Sequence, residues 1–429
     1  MHQPSPAATS QMRLRDAIMI ATASAASLAV AMGIGRFAFT AVLPMMLHDG
    51  VVDLGGGSYL ATANYLGYLA GAILCTALPR TSSRLLTVII RLSLIATALL
   101  TAGMAWPQVD LWGPFRFLSG VVSAVAFVLT SDWCVRELAS RGKVHLASLM
   151  YTGPGLGITL SGLAAGGMVA AEWRASSAWL AFAALSTLIV ICVWPAYRKS
   201  AAGAEVTTKP ASISPPNHSD LKQPHARQAQ EPDRGSPFEM AFFAISYGLA
   251  GFGYIVTATF LPVIARDALP GSAWIELFWP IFGTAVVIGC ILGTRTPSWI
   301  DYRAGLIACY VVQAAGVALT LVWPSVTGFV VSSTLVGLPF TIISFLAVQE
   351  VRRLRPHHVA RYVGFLTVTY GIGQIAGPPL VGLLVNRVGS ASLGFAIALG
   401  VAASSLLLGA LLYALMIRLW PRSTNRAVA

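Results

Sequence analysis

Long apolar runs broken by short polar intervals set the pattern of this chain. Twelve lie at about 17–44, 58–79, 85–105, 112–134, 145–169, 176–197, 239–264, 275–293, 304–323, 328–349, 362–385 and 393–417. Each approaches or exceeds the roughly 20 residues that carry an α-helix across a bilayer. The runs are unbroken, whereas barrel strands would show alternating segments of about ten residues. The pattern predicts an all-α integral membrane protein of twelve transmembrane helices.

The pattern also repeats at a lag of 218 residues. Gly33-Ile34-Gly35-Arg36, followed by Leu43-Pro44, becomes Gly251-Phe252-Gly253-Tyr254, followed by Leu261-Pro262. The same lag carries Gly153 and Gly155 onto Gly371 and Gly373, and a lag of 217 carries Arg136 onto Arg353. A parallel duplication of membrane helices predicts two six-helix bundles related by a pseudo-twofold axis along the membrane normal. Residues 1–197 are expected to form the first bundle and residues 239–429 the second. Between them, residues 198–238 are rich in Pro, Ser, Gln and Lys. Such a segment buries too little apolar surface to offset its ordering entropy, so a flexible linker is expected.

Composition agrees: 56% of residues are hydrophobic, 10% are charged, and the mean hydropathy is +0.72. The net charge of +12 invites a nucleic-acid reading, which its distribution rejects. Of the 28 Lys and Arg, 22 fall in the amino terminus, the even-numbered loops and the carboxyl tail. Arg174, Arg266 and Arg387 fall in odd-numbered loops, and Arg36, Arg91 and Arg116 inside spans. Under the positive-inside rule this bias predicts that both termini and the linker are cytoplasmic. The five cysteines are scattered, with no thiol-redox or zinc spacing. No nucleotide-binding loop of the Walker type occurs, and the seven His form no clustered site. An enzyme is therefore not expected, nor is any cofactor or metal.

The first helix carries Met32-Gly33-Ile34-Gly35-Arg36-Phe37-Ala38-Phe39 and Leu43-Pro44-Met45-Met46, and the second Ala63-Asn64-Tyr65-Leu66-Gly67-Tyr68-Leu69-Ala70-Gly71. Helix eleven carries Tyr370-Gly371-Ile372-Gly373-Gln374-Ile375-Ala376-Gly377-Pro378. These segments, over about 17–418, resemble the major facilitator superfamily, in its YbfB/YjiJ-like branch. The resemblance implies a secondary transporter in a bacterial inner membrane, with the substrate unassigned. One loop departs from the superfamily, which usually has an acid followed by Arg-x-Gly-Arg between helices two and three. Here that loop is Leu78-Pro79-Arg80-Thr81-Ser82-Ser83-Arg84, while the second half keeps Asp301-Tyr302-Arg303.

Arg36 is the sharpest candidate for solute binding. A charge at bilayer depth is costly and almost always faces an interior or an aqueous cavity. Gly33 and Gly35 beside it weaken the helix, and interrupted helices near the midplane are a recurring ligand-site device. A guanidinium grips carboxylate or phosphate in bidentate fashion; the alternative is an interhelical bond to backbone carbonyls. Tyr254 occupies the matching place in the second half. Asn64, Tyr65, Tyr151 and Gln374 are further polar groups within spans, each open to a packing role instead. Arg116, four residues before Gly120, resembles the superfamily's Arg-x-x-x-Gly element of proton-coupled members; the alternative is outward snorkelling. Arg91 reads as a snorkelling interface residue. Asp132 should pair with Arg136 one turn on. Gly153, Gly155, Gly371 and Gly373 read as close-packing and gating positions in helices five and eleven.

No acid lies near the middle of a span. The one deep cation without a buried acid favours an organic anion carried by alternating access, by a monomer in the lipid bilayer. Coupling to a proton or to an exchanged anion stays open. Efflux of drug-like amphipathic compounds by proton antiport is the alternative.

Overall fold

The computed structural model describes residues 6–77, 82–206, 236–297 and 299–421. Among them are twelve helices long and apolar enough to span a membrane, and no strand. We number them α1 Leu14–His48, α2 Leu54–Ala77, α3 Ser83–Gly103, α4 Val109–Ser140, α5 Val144–Ala170, α6 Ala175–Arg198, α7 Pro237–Ala268, α8 Ile275–Thr294, α9 Tyr302–Val322, α10 Val326–Leu354, α11 Arg361–Val388 and α12 Ala391–Leu419.

Several helices outrun their apolar cores. Hydropathy marks the bilayer interior, whereas the backbone continues helical into the polar margin. In α4 the extra turn carries Asp132 and Arg136, an i,i+4 pair at 2.6 Å that supports it. The backbone of α6 stays helical to Val206, inside the segment that the sequence assigns to a linker. Residues 207–235 of that segment lie outside the described residues, as do Leu78, Pro79, Arg80 and Thr81 of the loop between helices two and three, and the segment's last residues, from Ser236, cap and open α7. Helix starts are fixed by side-chain caps. Ser236 accepts from the Glu239 N–H at 3.0 Å ahead of Pro237, and Asp301 and Ser325 cap α9 and α10 in the same way.

The packing order repeats between halves. In the first half α2 packs on α4, α4 on α3, α3 on α6 and α5 on α1; in the second, α8 packs on α10, α10 on α9, α9 on α12 and α11 on α7. Two long seams join the halves, α5 against α8 and α2 against α11. Thr40 marks the axis between them: its hydroxyl donates at 2.8 Å to the carbonyl of Ala258, its own counterpart at the 218-residue lag. Outward faces are apolar and exposed, as at Leu99, Leu180, Ile191 and Leu411, which suits contact with lipid chains.

Small residues let the seams close. A Cβ at Gly155 would stand 2.8 Å from the carbonyl oxygen of Gly283 and from Val287, and one at Gly371 would meet Leu69 at 3.2 Å. Leu69 and Val287 are themselves counterparts at the 218-residue lag. Within the halves, Gly157 packs on Ala29 and Gly33 while Gly373 packs on Gly248 and Gly251. The structural pairs are therefore Gly155 with Gly371 and Gly157 with Gly373. This corrects the expected pairing of Gly153 with Gly371 and Gly155 with Gly373 by two residues. Gly153 instead presses on Ala25 and Leu28 of α1. Lag matching aligned letters, but the face of the helix decides which glycine meets which neighbour.

Candidate functional site

The site begins with a change of helix type. Residues Ala29–Phe37 of α1 wind as a π-helix, with hydrogen bonds five residues apart. Such turns widen the helix and leave carbonyls to be satisfied from elsewhere; they recur at functional sites. Here α4 supplies the partners. Ser123 donates to Ala31 O at 2.6 Å, Ser119 to Gly35 O at 2.8 Å, and Arg116 to Gly35 O and Arg36 O, each at 3.2 Å. The arrangement needs bare backbone at Gly33 and Gly35. A Cβ on Gly33 would meet the backbone of Gly157, and one on Gly35 would stand 2.7 Å from Thr97 and 3.0 Å from Ser123 Oγ.

Arg116 is thus 2% exposed, with its guanidinium 4.6 Å from the Phe39 ring centroid. Outward snorkelling is overturned, because the carbonyls of the π segment hold the cation inside. Arg91 is half-buried with its guanidinium over Trp194 at 4.9 Å, and its Nε and Nη2 have no hydrogen-bond partner among the described residues.

The π segment delivers Arg36 to the centre, 3% exposed. Its guanidinium lies over Tyr68 at 4.2 Å, Tyr65 at 4.9 Å and Phe37 at 5.2 Å. Cation–π attraction of this kind is worth about 2 kcal/mol or more when desolvated. Nη2 donates to Gln374 Oε1 of α11 at 2.6 Å. The other end of that amide, Nε2, donates to the hydroxyl of Tyr254 in α7. Arg36 Nε is buried without a hydrogen-bond partner, and no carboxylate pairs with Arg36 among the described residues. Arg36 and Tyr254 therefore face each other as their repeat positions suggested, with Gln374 bridging them.

Around this bridge the second half is aromatic. Tyr254 stacks on Tyr370 at 5.8 Å and 23° and meets Phe340 edge-on at 5.0 Å; Phe37 touches both Phe340 and Trp279. Tyr65 is buried and shares a 2.9 Å hydrogen bond with Thr259 of α7. Asn64 is fully buried and donates to Arg116 O at 3.0 Å, so it braces α2 on α4. Tyr151 is not part of the cluster; it is 38% exposed beside Phe127. Phe37, Phe340 and Trp279 were missed by sequence reasoning. Their spacing is that of ordinary apolar helix positions, and only the fold brings them to Arg36.

The termini end is held by charge. Arg303 is fully buried; it donates to Asp301 at 3.1 Å and to Trp420 O at 2.7 Å, with Glu350 at 3.7 Å and Glu239 at 4.0 Å. Arg353 joins through Glu350 at 2.6 Å. At the other end a crevice of about 770 Å³ runs along α5 and the α7–α8 turn, past the Arg266–Glu276 ion pair. None of the central residues lines it, and its two charges pair with each other, so the cluster at Arg36 is the candidate site. Among the described residues there is no group of acids, His and Cys able to hold a metal ion.

A family model described as "Uncharacterised MFS-type transporter YbfB" matches residues 28–414. No curated protein matches the chain. Among solved structures, a point mutant of the nucleoside transporter NupG superposes with a TM-score of 0.68 at 15% identity, covering 92% of this chain and 99% of its own. NupG without that substitution gives 0.62 at 14%, covering 94% and 99%. A bacterial homologue of the human lysosomal transporter Spinster, described as inward-facing and occupied, gives 0.62 at 12%, covering 94% and 97%. At such identities these likenesses show the fold alone.

Proposed function

The chain belongs to the MFS-type transporter family described for YbfB, and from that premise we propose that it carries a small organic anion bound at Arg36. Secondary-active transport of a small solute across a membrane is the activity the membership carries; the protein is a transporter rather than an enzyme. Multi-pass inner-membrane localisation is typical of bacterial members. The single observation supporting the anion is a cation 3% exposed between the halves with no carboxylate paired to it among the described residues. An isolated charge there is costly, and a bound anion offsets that cost during part of the cycle. Asn64 and Tyr65 brace the N-terminal wall, Gln374 and Tyr254 form the opposite one, and Arg116 holds the helix turn that presents Arg36. Gly155 and Gly371 serve as sliding contacts of the seams, Gly153 and Gly373 as close contacts on which helices flex within each half, and Asp132 with Arg136 as a contact at the termini end. Coupling to a proton or to a counter-anion completes the cycle.

The test is uptake of labelled organic anions into proteoliposomes. Arg36→Ala should lower transport about 100-fold or more at equal protein, from loss of a charge-assisted bidentate contact. Normal affinity for the anion in that variant would make Arg36 a structural residue and end the reading. We also take both termini and residues 198–238 as cytoplasmic, on the 22-to-3 bias of basic residues. Cysteine probes at positions 50 and 220 should label from outside only at 50; the reverse pattern would invert the topology.

A further inference from the structure

We infer that Gln374 is a built-in stand-in for the substrate's carboxylate, and that the substrate is a monocarboxylate with a flat apolar body that displaces it. This rests on the anion reading of Arg36 and goes beyond it. Four observations carry it. The carboxamide of Gln374 is planar, like a carboxylate, and its oxygen already sits on Arg36 Nη2 at 2.6 Å. It brings one oxygen only, so Arg36 Nε stays buried and unpartnered. A carboxylate brings two oxygens and can take Nη2 and Nε together, a bidentate pair that an amide cannot make. That difference lets a ligand win against a tethered competitor.

The remaining two observations set the ligand's class. Among the described residues, Arg36 is the one cation of the site that reaches the second half, whereas Arg116 has both terminal nitrogens on the backbone carbonyls of Gly35 and Arg36 and only its Nε left over. One charge therefore suffices, and a second carboxylate would be desolvated among aromatic rings without a partner. The surroundings are rings: Tyr65, Tyr68 and Phe37 on one side, Tyr254, Tyr370 and Phe340 on the other. Such walls offer stacking faces to a planar body.

The stand-in also shapes the transport cycle. The Arg36–Gln374–Tyr254 chain ties the first half to the second across the centre. The cation is then bonded without a ligand, so the empty protein can close and reorient. Net transport follows, with no obligatory exchange. The ligand breaks the tie as it binds, and the Tyr254 O–H, which the tie does not use, can turn to donate to it.

The experiment uses the full-length purified protein, with binding read from intrinsic tryptophan fluorescence. Probes are benzoate, phenylacetate and acetate, with phthalate and succinate as dianions. Benzoate and phenylacetate should bind the wild type, with both dianions at least tenfold weaker; a preference for dianions, or no binding of any monocarboxylate, overturns the substrate class. Gln374→Ala removes the competitor, so benzoate should bind roughly tenfold tighter, the opposite sign from loss of a ligand contact. In proteoliposomes the same variant should lose more of its net benzoate uptake than of its benzoate exchange. Gln374→Glu, which places a permanent carboxylate on Arg36, should fold and lose benzoate affinity by more than about tenfold. Unchanged or weaker benzoate binding in Gln374→Ala, or equal loss of exchange and net uptake, overturns the stand-in. Arg36→Ala separates the two failures. Wild-type benzoate affinity there ends the anion reading itself, whereas lost affinity there with weaker binding in Gln374→Ala ends only the role of Gln374.

Discussion

In the second half, Arg303 has Asp301, Glu350 and Glu239 within 4.0 Å; in the first half, Arg36 has no paired carboxylate among the described residues. Both arginines are buried. The duplication did not copy either arrangement. At the 218-residue lag, Glu239, Asp301 and Arg303 correspond to Ala21, Ser83 and Leu85, while Glu350 keeps its counterpart in Asp132. Arg36 corresponds to Tyr254. Backbone contacts, by contrast, are shared: Gly155 on Val287 mirrors Gly371 on Leu69, and Gly157 on Gly33 mirrors Gly373 on Gly251. The halves thus keep a common mechanical frame and divide the charge between them. A buried cation surrounded by acids, or held by backbone carbonyls as Arg116 is, holds structure together; on the proposed reading Arg36 is the one left for a ligand.

Removing each arginine is the strongest way to break this contrast. Arg303→Leu takes the cation from Asp301 and Glu239 and leaves Glu350 to Arg353, and losing one partner of a buried pair costs about 3–5 kcal/mol. The thermal unfolding midpoint in detergent should drop sharply, and expression with it. Arg36→Leu removes a charge that has no counter-ion, together with its ring contacts and one hydrogen bond, so the midpoint should fall less than in Arg303→Leu although transport is lost. If Arg36→Leu destabilises as much as Arg303→Leu, the two sites are not different in kind.

How much of this the sequence displays depends on the range of the interaction. Helices are local, and each of the twelve apolar runs became a span because the bilayer demands internally bonded backbone. Arg36 and Tyr254 were legible because a buried charge and its repeat mate stand out in apolar surroundings. Gln374 was visible as a polar group in a span, yet nothing in its spacing shows that its amide would bridge the other two. The π turn at Ala29–Phe37 had only its glycines as a signal, and its dependence on Arg116, Ser119 and Ser123 of α4 is a matter of tertiary packing. Tyr151 shows the converse: the right residue type in the right helix, turned to the wrong face.

The shared frame can be probed by a single methyl group. A Cβ at Gly155 would stand 2.8 Å from a backbone oxygen of α8, which cannot swing aside, so Gly155→Ala must push α5 from α8. Overpacking of this kind costs about 1–3 kcal/mol, and it falls on a seam that has to slide. Transport should drop several-fold while insertion into the membrane survives. At the mirrored position the added Cβ of Gly371→Ala meets the Cδ1 of Leu69 at 3.2 Å, the far end of a flexible side chain. That side chain can rotate away, so the effect should stay within about 0.5 kcal/mol, with near-normal transport. Equal damage from both substitutions would mean that the seams resist through helix spacing alone. Greater damage at Gly371 would show that the α2–α11 seam, next to Gln374, is the one that moves.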